Sequence, residues 1–250
     1  MNERESSEIP SYGVVIIGAG VSGLYQLHKS REIGVSALVL ESGTDVGGTW
    51  YWNRYPGARF DSESYSYGYS FSQDLLDQWD WQERFSAQPE NLRYLQHVAE
   101  QFDLRSDIRF QSVVTQCTFD ETSNEWQIEV EDGFRVRCRF LVTAIGILSK
   151  PLIPDFDGME DFKGPSFHTA QWPHDEVVFT GKRVGVIGTG ATAVQLIQEV
   201  AKTADHLTVF QRSPNWCAPL HNGPIEPAEM TDIRSHYDDI FERCRKSFSG

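Results

Sequence analysis

Three features of this 250-residue sequence predict an α/β fold with two Rossmann-like dinucleotide-binding units. Two glycine-rich turns, Gly18-Ala19-Gly20-Val21-Ser22-Gly23 and Gly188-Thr189-Gly190-Ala191-Thr192-Ala193, each follow a short apolar run and open a helical pattern. Each unit then returns through a second apolar run to a charged residue, Glu41 in the first and Arg212 in the second. Between them, residues 108–142 alternate with a period of two, as antiparallel strands do, so the first unit carries an antiparallel β-meander insertion. The second unit shows only two strands, too few for a doubly wound sheet, and is read as incomplete.

Composition narrows the class. Hydrophobic residues make up 40% and charged residues 23%, which describes a globular chain. A net charge of −14 argues against nucleic acid or an anionic membrane surface as a partner. Cys117, Cys138, Cys217 and Cys244 have no CxxC or metal-ligand spacing, so four reduced thiols in a cytoplasmic protein and no metal are expected. Residues 1–10 are polar and acidic, without the basic start and apolar core of a signal peptide. The longest near-apolar run, 140–148, is far short of a membrane span.

The elements follow in order. Residues 13–17 form a continuous apolar run, as in a parallel strand buried on both faces. Gly18 permits the tight turn, Gly20 lets backbone approach a pyrophosphate, and Gly23 allows close helix–strand packing. The helix from about 21 to 32 points its first amides at the phosphates. Strand 35–40 ends at Glu41, 18 residues past Gly23, where a carboxylate reaches a ribose hydroxyl. Tyr65, Tyr67 and Tyr69 alternate with small residues and predict a short strand with one aromatic face. Residues 88–104 have helical periodicity, and 140–147 return as a buried strand. A Pro- and Gly-marked linker spans 151–180. A second buried strand covers 183–187, and strand 207–210 leads to Arg212 and Ser213. A guanidinium there would fork onto a 2′-phosphate that an acid would repel. A charged helix is expected over 228–246.

Inside the linker, Phe162, Gly164, His168 and Trp172 have the spacing FxGxxxHxxxW. That pattern resembles the fingerprint of type I Baeyer–Villiger flavin monooxygenases. The aromatic stretch 47–61, Gly-Gly-Thr-Trp-Tyr-Trp-Asn-Arg-Tyr-Pro-Gly-Ala-Arg-Phe-Asp, is similar to the flavin-pocket segment of that family, with Phe60 where several members have Cys.

The resemblance implies FAD at the first turn and NADPH at the second. Residues 1–150 would form the FAD-binding domain, 151–180 the linker and 181–250 the NADPH-binding domain. By the same resemblance Thr49, Trp50, Trp52, Arg59, Asp61, Tyr67 and the backbone of Val114 lie along FAD. Gly188, Thr189, Gly190, Thr192, Ala193, Gln195, Arg212 and Ser213 would bind NADPH. The implied reaction inserts an oxygen atom from O2 beside a ketone carbonyl through a peroxyflavin, giving an ester or lactone. Asp61 would tune an active-site Arg that these 250 residues lack, with Tyr67 near the flavin ring, and His168 and Trp172 would govern the linker between cofactor domains. The chain would then be an N-terminal portion of a longer enzyme. Two other readings stay open: an N- or S-oxygenating flavin monooxygenase, and a cofactor-binding fragment without activity.

Overall fold

The computed structural model describes residues 9–247. The first elements are β1 (Ser11–Ile17), α1 (Val21–Glu32), β2 (Ala37–Leu40), α2 (Thr49–Trp52), α3 (Ser64–Tyr67), α4 (Gln73–Gln78) and α5 (Gln88–Gln101). Strands β3 (Ile108–Arg109), β4 (Val114–Asp120), β5 (Glu125–Val130) and β6 (Arg135–Thr143) follow. The remainder is β7 (Arg183–Ile187), α6 (Ala191–Val200), β8 (His206–Phe210), α7 (Pro227–Ser235) and α8 (Tyr237–Lys246). The architecture is mixed α/β, with parallel and antiparallel pairing in one sheet.

The described chain forms two compact units that do not follow sequence order. One holds the residues up to Trp52 together with Leu95–Leu152, and the other holds Asn53–Tyr94 together with the residues from Ile153 onward. Segment 53–94, expected in the first domain, therefore packs within the second unit. Within that unit Gly57 and Arg59 lie directly against Gln195, far along the chain.

In the first unit a six-stranded sheet runs β3-β2-β1-β6-β5-β4. β1 pairs parallel with β2 and with β6, while β4, β5 and β6 form the expected antiparallel meander. β3, at the start of the alternating stretch, instead pairs parallel with β2. The continuous apolar run of β1 follows from its central place: Val15 and Ile16 are fully buried. Val15, Leu38, Leu40, Ile128, Val136 and Cys138 share one core. β6 ends at Thr143, earlier than the expected 140–147 strand, and Phe140 and Ile147 are 58% and 100% exposed. The chain leaves the sheet there through Gly146, at φ +74°.

The second unit holds the two-stranded parallel sheet β7-β8, with Val186, Leu196, Val200, Tyr55 and Ala58 as its core. β7 was expected to be buried, yet only Val186 of its five residues is, because this sheet has one neighbouring strand and one helix against it. Tyr65–Tyr69 form no strand. Ser64–Tyr67 is a single helical turn, since Ser64 Oγ donates to Glu83 O (2.7 Å) and Ser66 Oγ to Glu63 O (2.7 Å), and no strand lies alongside. The expected helix over 228–246 is two, α7 and α8, broken at His236. Its ring Nδ1 bonds Asp232 O at 2.8 Å, and its backbone sits at φ −121°, outside the helical well. Among the described residues no helix is long and apolar enough to cross a membrane.

Candidate functional site

The first glycine turn is a place where backbone lies on backbone. Gly18, at φ +102°, donates its amide to Leu40 O at 2.8 Å, and a Cβ there would stand 2.6 Å from Ala144 O. A Cβ on Gly23 would fall 1.9 Å from Gly18 O, so α1 rests on its own turn. Gly48, at φ +51°, lies where a Cβ would meet Gly20 Cα at 2.7 Å, while Gly47 N donates to Ala19 O at 3.0 Å. Only glycine fits at these contacts.

Glu41 is 4% exposed at the end of β2. Its carboxylate accepts from Ala19 N and from Gly43 N, both at 2.7 Å. It thus ties the glycine turn to the loop after β2, and lone pairs remain for further donors such as ribose hydroxyls. α1 has no side-chain cap and no acid in its first turn, which suits an incoming phosphate. These features fit a dinucleotide. Of the neighbouring residues expected along it, Trp50 is buried on α2 and Trp52, at the end of the same helix, is 42% exposed. Thr49 opens α2, and Val114 lies at the bulged start of β4.

The second turn has the same hydrogen bond and a different surrounding. Gly188, at φ +108°, donates to Phe210 O at 2.9 Å, matching Gly18 and Leu40. No heavy atom stands within 4 Å of a Cβ built on Gly188 or Gly190. Helix α6 also lacks a side-chain cap and an acid in its first turn. Ala193, at the position matching Gly23, packs against the second unit's core. Arg212 and Ser213 are exposed just past β8, and Arg212 has no ion pair or hydrogen bond among the described residues. An open turn beside an unpaired guanidinium fits a dinucleotide bearing a phosphate. Asn215, unassigned by the sequence, closes this turn: its Nδ2 donates to Thr189 O (2.8 Å) and Oγ1 (3.2 Å). Its only sequence signal was its place just beyond Arg212.

A cleft of about 770 Å3 opens beside this turn, lined by Gly57, Arg59, Asp61, Thr189, Ala191, Gln195, Asn215 and Asn222 among others. Asp61 is exposed there. Arg59 Nη1 pairs with Glu83 Oε2 at 3.0 Å and donates to Phe85 O, while Asn222 donates to the same Glu83 oxygen at 2.7 Å. Arg59 is therefore anchored in the cleft wall, and Glu83 and Asn222, which sequence reasoning left out, hold it. Tyr67 is half-buried with its ring 4.0 Å from that of Phe60.

Gln195 turns its amide away from the glycine turn, toward Tyr55 and Arg59. Burial pushes the Tyr55 phenol's pKa up, and Thr192 beside the hydroxyl opposes this. His168 Nδ1 accepts from Ala170 N at 3.2 Å, so the ring caps the short 3-10 turn Thr169–Gln171. Trp172 packs on the second unit's core, with Phe167 and Phe179 at ring distances of 5.5 and 6.3 Å. Of the fingerprint residues, then, Trp172 is an anchor and His168 a cap. Phe162 is 64% exposed and folds over Gly164, where a Cβ would meet its ring at 2.7 Å.

Comparison with known proteins gives a consistent set of likenesses. A family model described as flavin-binding monooxygenase-like matches residues 12–231. The 2-oxo-Δ3-4,5,5-trimethylcyclopentenylacetyl-CoA monooxygenase of Pseudomonas putida is 47% identical over 99% of this chain and 46% of its own length. Acetone monooxygenase (methyl acetate-forming) of Gordonia sp. strain TY-5 is 45% identical over 94% of this chain and 44% of its own. Among solved structures, OTEMO in complex with FAD and NADP superposes with a TM-score of 0.89 at 48% identity, covering 94% of this chain and 45% of that one. The chain spans less than half the length of the relatives it matches.

Proposed function

The chain belongs to the flavin-binding monooxygenase-like family, and on that premise we propose that the protein is an NADPH- and O2-dependent monooxygenase of the Baeyer–Villiger type, converting a ketone to an ester or lactone. The observation that carries this reading is the paired strand–glycine turn–helix–strand arrangement with a buried carboxylate at the end of one and an exposed guanidinium at the end of the other. The first would hold FAD and the second NADPH, each as a Rossmann-like unit: residues 1–150 without segment 53–94, the linker 151–180, and residues 181–250 with that segment packed on them. The likeness to a methyl acetate-forming acetone monooxygenase supports a ketone as the substrate class.

Bound FAD, supplied with electrons by NADPH, brings the oxygen chemistry. The chain's own residues bind and orient. The Gly18–Gly23 turn and the α1 amides take the pyrophosphate of FAD, and Glu41 takes a ribose hydroxyl while holding the turn in shape. Thr49, Trp50, Trp52 and the Val114 backbone flank that cofactor. The Gly188–Ala193 turn takes the NADPH pyrophosphate, and Arg212 with Ser213 takes its 2′-phosphate. Asp61 and Arg59 place a carboxylate and a braced guanidinium in the cleft beside that turn, and Tyr67 lies against Phe60 with the rings tilted. A charge braced as Arg59 is acts without reorganising at the moment of reaction. His168 and Trp172 position the linker.

The test is direct. The full-length protein with FAD, NADPH and cyclic or linear ketones under 18O2 is expected to give an ester or lactone carrying one labelled oxygen. Oxides of amines or sulfides with no ester from any ketone would replace this reading with N- or S-oxygenation. NADPH consumption with peroxide as the sole product would overturn it altogether.

A further inference from the structure

We propose that Gln195 is a positioning residue that locks loop 55–59 onto helix α6 and thereby holds Asp61 in register with the second glycine turn. This rests on the reading of that turn as the NADPH site. The side-chain amide is occupied at both ends. Its Oε1 accepts from Tyr55 Oη at 2.8 Å and from Arg59 N at 3.3 Å, and its Nε2 donates to Arg59 O at 3.1 Å. Both lone pairs of the oxygen are in use, and one amide hydrogen is left.

Two flanking contacts extend the lock along one helix face. The Thr192 side chain stands beside the Tyr55 hydroxyl. Gly57, at φ +83°, sits so close to α6 that a Cβ would lie 2.6 Å from Gln195 O and 2.9 Å from Glu199 Cγ. Positions 192, 195 and 199 fall on the same side of a helix, so the loop is bound along two turns. Tyr55 and Ala58 bury themselves against Leu196 and Val200 beneath these hydrogen bonds.

The consequence is geometric. Asp61 leaves the lock two residues after Arg59, and Asp61, Thr189 and Ala191 line the same cleft. Helix α6 starts at that glycine turn, so one rigid helix references both the phosphate-binding backbone and the carboxylate. A displacement of about 1 Å in such a site costs on the order of a hundredfold in rate.

The experiment compares Gln195→Leu, Gln195→Glu and Gly57→Ala in the full-length protein, read first by amide hydrogen exchange without cofactors. Gln195→Leu removes all three hydrogen bonds and should raise exchange at Arg59 roughly tenfold or more. Gln195→Glu keeps both acceptor bonds but turns a carboxylate oxygen onto Arg59 O, so exchange at Arg59 should rise by less than in the leucine variant. Gly57→Ala lifts the loop by its backbone and should reproduce the leucine effect with Gln195 intact. In the loaded enzyme, Gln195→Leu should lower kcat for NADPH-driven flavin reduction by roughly tenfold to a hundredfold, while the Kd for NADP+ stays within about threefold. Unchanged exchange at Arg59 in Gln195→Leu overturns the lock. A Kd that rises in step with the loss of kcat overturns it too, by making Gln195 a direct ligand. A wild-type protein inert to NADPH would instead remove the functional reading, and the exchange comparison would still decide the lock.

Discussion

The two glycine turns share a sequence pattern and a hydrogen bond, yet one is enclosed and the other open. Gly18 N reaches Leu40 O at 2.8 Å and Gly188 N reaches Phe210 O at 2.9 Å, so the strand–turn–strand closure is the same. Around the first, Ala144, Gly48 and the Glu41 carboxylate press on the turn. Around the second, Asn215 and the Ser213 carbonyl bond Thr189 from the side, and Arg212 stands in solvent. The lesson is that the glycine pattern encodes the backbone path, while neighbours far along the chain decide whether the turn is braced by the protein or left for a ligand to complete.

That contrast can be broken experimentally, most forcefully at Gly23. Gly23→Ala puts a methyl 1.9 Å from Gly18 O, a backbone atom that cannot step aside. The expected cost is about 3 kcal/mol or more, which lowers Tm by roughly 6–12 °C. The matching change at the second turn, Ala193→Gly, should cost only about 0.5–1 kcal/mol, the ordinary penalty of a helical glycine. Equal shifts in thermal denaturation would show that the two turns are packed alike.

The next effect separates the two charges. Glu41→Gln leaves an amide hydrogen facing a backbone N–H in a buried site, so a loss of about 1.5–3 kcal/mol is expected in urea unfolding, together with weaker FAD retention. Arg212→Ala, exposed and unpaired, should leave stability within about 0.5 kcal/mol. It should raise the KM for NADPH about tenfold to a hundredfold with NADH barely affected. Lys at 212 should recover only part, because an ammonium cannot fork. Equal losses with both nicotinamide cofactors would mean that Arg212 does not read the 2′-phosphate.

The smallest effect concerns the burial that distinguishes the first unit's sheet. Burial pushes the Cys138 thiol up to about 11 from an ordinary 9. The unfolded thiol therefore ionises before the folded one, so its contribution to stability is intact below pH 9 and is lost as pH rises through 11. Urea midpoints should fall between pH 8 and pH 10.5 more in the wild type than in Cys138→Val. At pH 8, exposed Cys217 should take up a maleimide while Cys138 does not. Identical pH slopes would contradict the assignment.

Much of this molecule was legible in the sequence. Apolar runs before glycine triplets, the residue types after the return strands, and the hairpin breaks at 120–124 and 131–133 are local signals, set by backbone sterics and side-chain alternation over a few residues. The alternating tyrosines at 65–69 misled because a period of two is also compatible with a helical turn in which Ser66 bonds the Glu63 carbonyl. The apolar character of 140–147 and 183–187 marked strands correctly in part, but hydropathy carries no information on whether a second layer covers them.

By itself, then, the chain determined its strand–glycine turn–helix units, its meander and the opposite charges at Glu41 and Arg212. Only the tertiary structure decided that segment 53–94 packs in the second unit, that Glu41 braces the turn it follows, and that the Gln195 amide holds Tyr55 and Arg59. Each of these is a contact between residues far apart in sequence. Such partners are chosen by packing and by the need to satisfy buried polar groups, which no local pattern records.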